Sequence, residues 1–202
     1  MTNDLNINSL TPLSLSFYKK PTLKIAELLL GKYFVRYYKN KPLISRIVET
    51  EAYHETGDPA CHAHNGKTKR NEVMFGPPAH LYVYFTYGMH YCLNVVTEKE
   101  GTAAAVLIRA IEPLQGVEVM RKLRGEKIIL KNLANGPAKL CQAMDINKKT
   151  NGVSLLEKEI FIADNKSRKK FDIVKTTRIG ISKGQSLPWR FYIKGNEFVS
   201  KP

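Results

Sequence analysis

Two glutamates, Glu49 and Glu51, alternate in the run RIVETEAY at residues 46–53 of a chain that is otherwise strongly basic. Side chains on a regular strand point to opposite faces in turn, so Ile47, Glu49, Glu51 and Tyr53 share one face. That face sets two carboxylates side by side, and three accounts fit them. An exposed strand would carry them as solvated ion pairs. A carboxylate within reach of a water could take its proton as a general base. With His54, His62 and His64 the pair could also supply nitrogen and oxygen ligands to a metal, although the spacing matches no compact metal signature.

The surrounding charge sharpens the choice. The 202 residues hold 32 Lys and Arg against 18 Asp and Glu, a formal net charge of +14. Residues 46–60, with Glu49, Glu51, Glu55 and Asp58, form one acidic island in that background. A basic excess suits a polyanion, because each neutralised phosphate releases counterions, and it equally suits a solubilising surface. An acidic island facing a nucleic acid would repel it, so these carboxylates face elsewhere or one of them does chemistry.

A second constellation is aromatic. Tyr82, Tyr84, Tyr87 and Tyr91 crowd into ten residues with Phe85 and His90 among them. Tyr82, Phe85 and Tyr91 read as ordinary strand and core residues. Tyr87, beside Gly88 and Met89 at a predicted hairpin tip, has no such explanation. Aromatic wedges at such tips can enter a base stack and fill the gap left by a displaced nucleotide. Basic surface, wedge and isolated carboxylate together point to an enzyme that extracts a base from a duplex.

The elements that must position these residues are legible in outline. TLKIAELLLG at 22–31 predicts a helix capped by Thr22 and stopped by Gly31. YFVRYY and ISRIVETEAY predict two strands joined at Lys39 to Lys41 and Pro42. Residues 54–79 read as a long functional loop. HLYVYFTYGMHYCLNVV predicts a hairpin turning near Tyr87 and Gly88, and AAVLIRAI a further strand. Residues 113–125 predict a helix opening at Pro113, and Pro137–Met144 a shorter one. NKSRKK at 165–170 reads as a basic surface loop, and WRFYIKGNEFVS as an edge or closing hairpin. Trp189 and Phe191 are assigned to the core, and His54 and His64 to the surface. Lys139, near a helix start, is a candidate phosphate contact, although an ordinary solvated lysine fits as well.

These elements make one mixed α/β domain over residues 1–202, with residues 1–11 as a flexible lead-in. Three separated cysteines, Cys61, Cys92 and Cys141, disfavour a disulfide framework and a zinc ribbon. No apolar run is long enough to span a membrane and no basic leader precedes an apolar block, which predicts a cytoplasmic protein.

RIVETEAY, HLYVYFTYGMHYCLNV, VLIRAIEPLQG, NGPAKLCQAM, RIG and PWRFYIKG, in this order across about residues 12–200, resemble the alkyladenine (3-methyladenine, or methylpurine) DNA glycosylase family. The resemblance implies a compact α+β domain in which a curved antiparallel sheet is surrounded by helices and a β-hairpin protrudes. It implies a base-excision-repair hydrolase, monofunctional because no motif places a lysine as amine nucleophile, with no cofactor and no metal. Its partner would be double-stranded DNA containing damaged purines, bound by a monomer at the nucleoid of a bacterial-type cell. Position by position, Glu51 matches the general base, and Arg109 and the backbone carbonyl of Ile179 match the groups that hold the attacking water. Arg109 would also hold the Glu51 pKa down. Tyr53, His62 and Tyr84 match the walls around the flipped base. Asn94 matches the residue that excludes guanine. Tyr87 matches the intercalating tyrosine, with Met89 beside it. His90 and Cys61 depart from the family pattern. Two rival readings stand beside this one: a lesion-binding module without catalysis, which has no use for Glu51, and a metal-dependent nuclease built on the Glu and His residues.

Overall fold

A computed structural model describes residues 10–164 and 170–202. The flexible lead-in expected at 1–11 falls largely outside the described residues, as does all of the basic loop expected at 165–170 except Lys170.

Two short helices, α1 (Leu15–Tyr18) and α2 (Thr22–Leu28), precede a β-hairpin of β1 (Tyr33–Tyr38) and β2 (Lys41–His54). Its two-residue turn, Lys39 and Asn40, has positive φ at both positions, 47° and 62°, the turn whose twist matches paired strands. Strand β2 therefore begins at Lys41, and Pro42 lies inside it opposite Tyr37. A second hairpin, β3 (Leu81–Thr86) and β4 (His90–Val96), leads to the long β5 (Ala104–Gln115). Helices α3 (Val117–Arg124) and α4 (Pro137–Ala143) follow, then β6 (Ile160–Ala163), β7 (Ile173–Thr176) and β8 (Arg190–Ile193).

All named strand pairs are antiparallel, in the order β3-β4-β5-β2-β1-β6, with β8 beside β2 and β7 beyond β8. The sheet curls into a half-barrel with few helices, the mixed α/β architecture expected. Strand β2 is its axis. Over Lys41–Arg46 it pairs with β1, and over Glu49–Glu51 β8 takes over the same edge, while β5 runs along the other side. Three irregularities interrupt the β2–β5 ladder: Leu114 is the extra residue opposite Ile44 and Ser45, Val48 the extra residue between Ile47 and Glu49, and Arg109 the extra residue opposite Glu49 and Thr50. A bulge bends its strand and re-aims a side chain. The core lies under α2, where Ile25, Ala26 and Leu29 pack with Ile47, Val48 and Phe191, all shut off from water. Burying each large aliphatic side chain there contributes roughly 1.5–3 kcal/mol.

Several expectations need correction. The helix predicted to open at Pro113 begins at Val117, because Pro113 is buried in β5 opposite Ser45 and Gly116, at φ 78°, makes the turn into α3. A Cβ on Gly116 would stand 2.7 Å from the Pro42 carbonyl oxygen, so only glycine fits that crossing. Thr22 is the first helical residue rather than the cap; its hydroxyl donates to Glu98 at 2.6 Å. Phe85 is 48% exposed rather than core, since it sits on the outer half of the protruding hairpin. The last segment is not an edge: β8 is interior, between β2 and β7, and residues 194–200 fold back over β2 instead of pairing as a hairpin. His54 is half-buried against Glu98, at 3.4 Å, while His64 is exposed.

Candidate active site

The alternation on β2 does carry both glutamates to one place, and neither is exposed. Burying a carboxylate is expensive unless hydrogen bonds and charges compensate, and the two are compensated differently. Glu49 is saturated. Arg190 Nη1 donates to its Oε1 at 2.7 Å, the Ser200 N–H to its Oε2 at 2.7 Å, and Arg109 Nε stands 3.3 Å away. It locks the C-terminal segment to the sheet.

Glu51 lines a cavity of about 290 Å³. The Ile179 N–H donates to its Oε1 at 2.9 Å and the Tyr53 hydroxyl to its Oε2 at 2.8 Å. Arg109 Nη1 is 3.5 Å from Oε1, reached because the bulge turns that guanidinium toward both carboxylates. Burial outweighs these contacts: the Glu51 pKa is raised, although Arg109, the Ile179 amide and Tyr53 each pull it down. Arg109 acts in the expected direction, but burial prevails and the net shift is upward. At Ile179 it is the amide that meets the carboxylate.

The same cavity is lined by Tyr53, His62, Tyr84, Asn94, Arg109 and Ile179, which the sequence scatters over more than a hundred positions. His62 Nδ1 lies 2.9 Å from the Tyr82 hydroxyl, and its ring meets Tyr84 edge-on at 4.5 Å. Burial of that inner edge, then the positive charge of Arg70, push its pKa down to about 4, a shift that its exposed outer edge moderates. Burial raises the hydroxyl pKa values of Tyr53 and Tyr84, so both remain neutral phenols. Asn94 Nδ2 donates to the Tyr82 carbonyl, fixing the amide against the floor.

Tyr87 reaches the cavity mouth from the tip of the β3–β4 hairpin, 80% exposed, with Met89 beside it at 67%. Tyr87 and Gly88 have φ of 52° and 69°. For a bulky residue the left-handed region is unfavourable by about 1–2 kcal/mol, and exposure returns nothing through burial. Met89 and Lys139 do not line this cavity; the Lys139 ammonium donates to Asn135 Oδ1 at 2.8 Å. Cys92 lines the wall, Cys61 is buried outside it, and all three cysteines are free. Among the described residues no group of three His, Cys, Asp or Glu could hold a metal.

Sequence reasoning missed the residues that hold these parts in place. Arg178 forms a bidentate pair with Asp58, 2.6 Å on each branch and fully buried, and also donates to the Ala52 carbonyl at 2.9 Å. Its guanidinium lies 4.5 Å from the Tyr53 ring centroid and 5.3 Å from that of Trp189. One side chain thus braces the wall, the strand of Glu51 and the neighbouring Ile179. Asn71 is buried and donates to the His62 and Gly66 carbonyls, fixing the 54–79 loop, whose end winds into a 3-10 turn at Glu72–Phe75. The local signal for Asn71 was a polar residue in a loop that had to be ordered, and for Arg178 its place in the RIG motif.

A sequence profile described as methylpurine-DNA glycosylase matches residues 16–197. The chain belongs to the methylpurine-DNA glycosylase family. It is therefore a DNA glycosylase, a base-excision-repair hydrolase that acts on damaged DNA. Among its relatives, a protein of Carboxydothermus hydrogenoformans named "Putative 3-methyladenine DNA glycosylase" is 56% identical over 186 residues, 92% of this chain and 96% of its own. Proteins bearing the same name from Francisella tularensis and Alkaliphilus oremlandii are 52% and 48% identical, covering 89% and 92% of this chain and 94% and 96% of theirs. No helix among the described residues is long and apolar enough to cross a membrane.

Proposed function

We propose that this glycosylase rotates an alkylated or deaminated purine, of the 3-methyladenine type, out of duplex DNA into the Glu51 cavity and hydrolyses its N-glycosidic bond. The observation that carries the reading is Glu51 itself: a buried carboxylate against an arginine, at the end of a slot walled by Tyr53, His62 and Tyr84. Breaking the bond from C1′ to the base nitrogen builds positive charge on the sugar, and an ionised carboxylate beside it stabilises that state. The Glu51 carboxylate takes a proton from water while the water oxygen bonds to C1′. The bonding pair leaves with the purine nitrogen. Arg109 and the Ile179 carbonyl hold that water. A base alkylated at N3 or N7 carries positive charge, leaves readily and stacks on Tyr53 and Tyr84 as a cation on aromatic faces. Asn94 excludes guanine through its exocyclic amino group. Tyr87, with Met89 beside it, fills the vacated gap, offsetting part of the few kcal/mol that unstacking costs. The whole chain, residues 1–202, acts as one domain and a monomer, monofunctional and without a cofactor, on nucleoid DNA.

The test is Glu51→Gln, assayed by base release from a lesion-bearing duplex with and without EDTA. Release should fall by about 10³-fold or more while affinity for an abasic-site analogue is kept. Normal turnover by the variant would sink the mechanism, and chelator-sensitive strand cleavage by the wild type would favour a metal nuclease.

A further inference from the structure

Both oxygens of Glu51 accept a hydrogen bond, and both donors adjoin one side chain that does not itself line the cavity. Arg178 lies in the connection between β7 and β8, its side chain shut off from water. It is attached at three points around Glu51. Nη1 donates to the carbonyl of Ala52, the residue between Glu51 and Tyr53, at 2.9 Å. The guanidinium stands 4.5 Å from the centroid of Tyr53, whose hydroxyl donates to Glu51 Oε2. Ile179, the next residue in the chain, donates its N–H to Oε1.

Stability alone does not call for this arrangement. Apolar residues of similar volume often match or surpass a fully buried ion pair, and here Arg178 Nε is buried with no hydrogen-bond partner among the described residues. What apolar packing cannot supply is a fixed orientation. The two branches of the guanidinium meet the two oxygens of Asp58, a fork geometry that sets the plane of the group. Gly184 closes over the pair at φ 60°, where a Cβ would stand 3.0 Å from Arg178 Nη2 and 3.1 Å from Asp58 Oδ1.

We propose that Arg178, gripped by Asp58, is a positioning residue for the general base: it orients the Tyr53 hydroxyl and the Ile179 amide so that each meets one oxygen of Glu51. Hydrogen bonds to the charged form of a carboxyl favour that form, so the pair keeps Glu51 more ionised against the pull of burial. Glu51 is otherwise faced by Arg109 on β5, Glu49 on its own strand, Tyr84 on β3 and Cys92 on β4, while Arg190, opposite it on β8, is engaged with Glu49. None of these is hydrogen-bonded or ion-paired to Arg178 among the described residues, so their effect is common to every variant compared. The inference rests on the reading of Glu51 as the base, but one of its readouts needs no turnover.

The experiment compares the full chain with Arg178→Lys, which keeps the charge but loses the fork, and with Tyr53→Phe, which keeps the ring but loses the hydroxyl. One readout is single-turnover base release from a lesion-bearing duplex across acidic pH. The other is NMR titration of glutamate labelled at its side-chain carboxyl carbon, with the Glu51 signal assigned by its loss in Glu51→Gln. Arg178→Lys should slow release about tenfold to a hundredfold, as a small misplacement of a reacting group does, while affinity for an abasic-site analogue is kept. Its acid limb and its Glu51 titration should both move to higher pH. Tyr53→Phe should move the titration the same way, and the double variant by less than the sum of the two. A Glu51 titration left at the wild-type pH by either single variant would overturn the proposal, whatever the change in Tm, so Tyr53→Phe decides it even where Arg178→Lys does not fold. Titrations that move as expected while Glu51→Gln releases base normally would leave the positioning standing and remove the catalytic reading instead.

Discussion

At Glu51 the competing effects differ in direction. Burial raises the carboxyl pKa, while Arg109, the Ile179 amide and Tyr53 lower it, and burial prevails. A general base works only when ionised, so base release should fall as pH drops through a pKa lying above the ordinary carboxylate value of about 4.3. Single-turnover rates across acidic pH should place that limb above the ordinary value; a limb at or below it would contradict the burial argument. Linkage has a definite sign here. A carboxyl whose folded pKa is raised costs stability once ionised, and that cost is relieved as pH falls through the folded pKa. The Tm of Glu51→Gln should therefore equal or exceed that of the wild type at neutral pH, with the difference closing in acid. A site held in an unfavourable charge state for its reaction would show this pattern.

The elements carry a similar compromise at the β3–β4 turn. Two residues with positive φ favour asparagine and glycine, yet a tyrosine occupies the first position with most of its surface in water. Tyr87→Asn should leave the Tm unchanged or raised, because asparagine tolerates that backbone, while base release from duplex falls by roughly tenfold or more, ~1.4 kcal/mol of flipping free energy. Unchanged activity on duplex would remove the wedge from the mechanism. The bulges act at the same scale. Regular alternation alone would have placed Glu49 and Glu51 on one face without deciding what they face; the extra residues at Val48 and Arg109 bring the guanidinium to both.

Across the whole molecule, the site is closed by contacts between distant parts of the chain. Ser200 reaches Glu49 across 151 positions, Arg190 reaches it across 141, and Arg178 reaches Asp58 across 120. Breaking a fully buried ion pair typically costs about 3–5 kcal/mol, so Asp58→Asn should lower unfolding free energy by about that much. A loss below about 1 kcal/mol by denaturant titration would show that the brace is dispensable. The sequence by itself determined the residues that could react, a helix starting at Thr22, though it ends at Leu28 rather than at the Gly31 expected, the two hairpins and the family, because those rest on local periodicity, turn chemistry and motifs in register. It could not decide whether Glu49 and Glu51 lie in water or in the interior, since alternation assigns a face but not what covers it. Nor could it place Pro113 in a strand, Phe85 in solvent, β8 inside the sheet, or Arg178 behind Tyr53. Only the tertiary structure decided those, because burial and long-range pairing are set by what the rest of the chain packs against each residue.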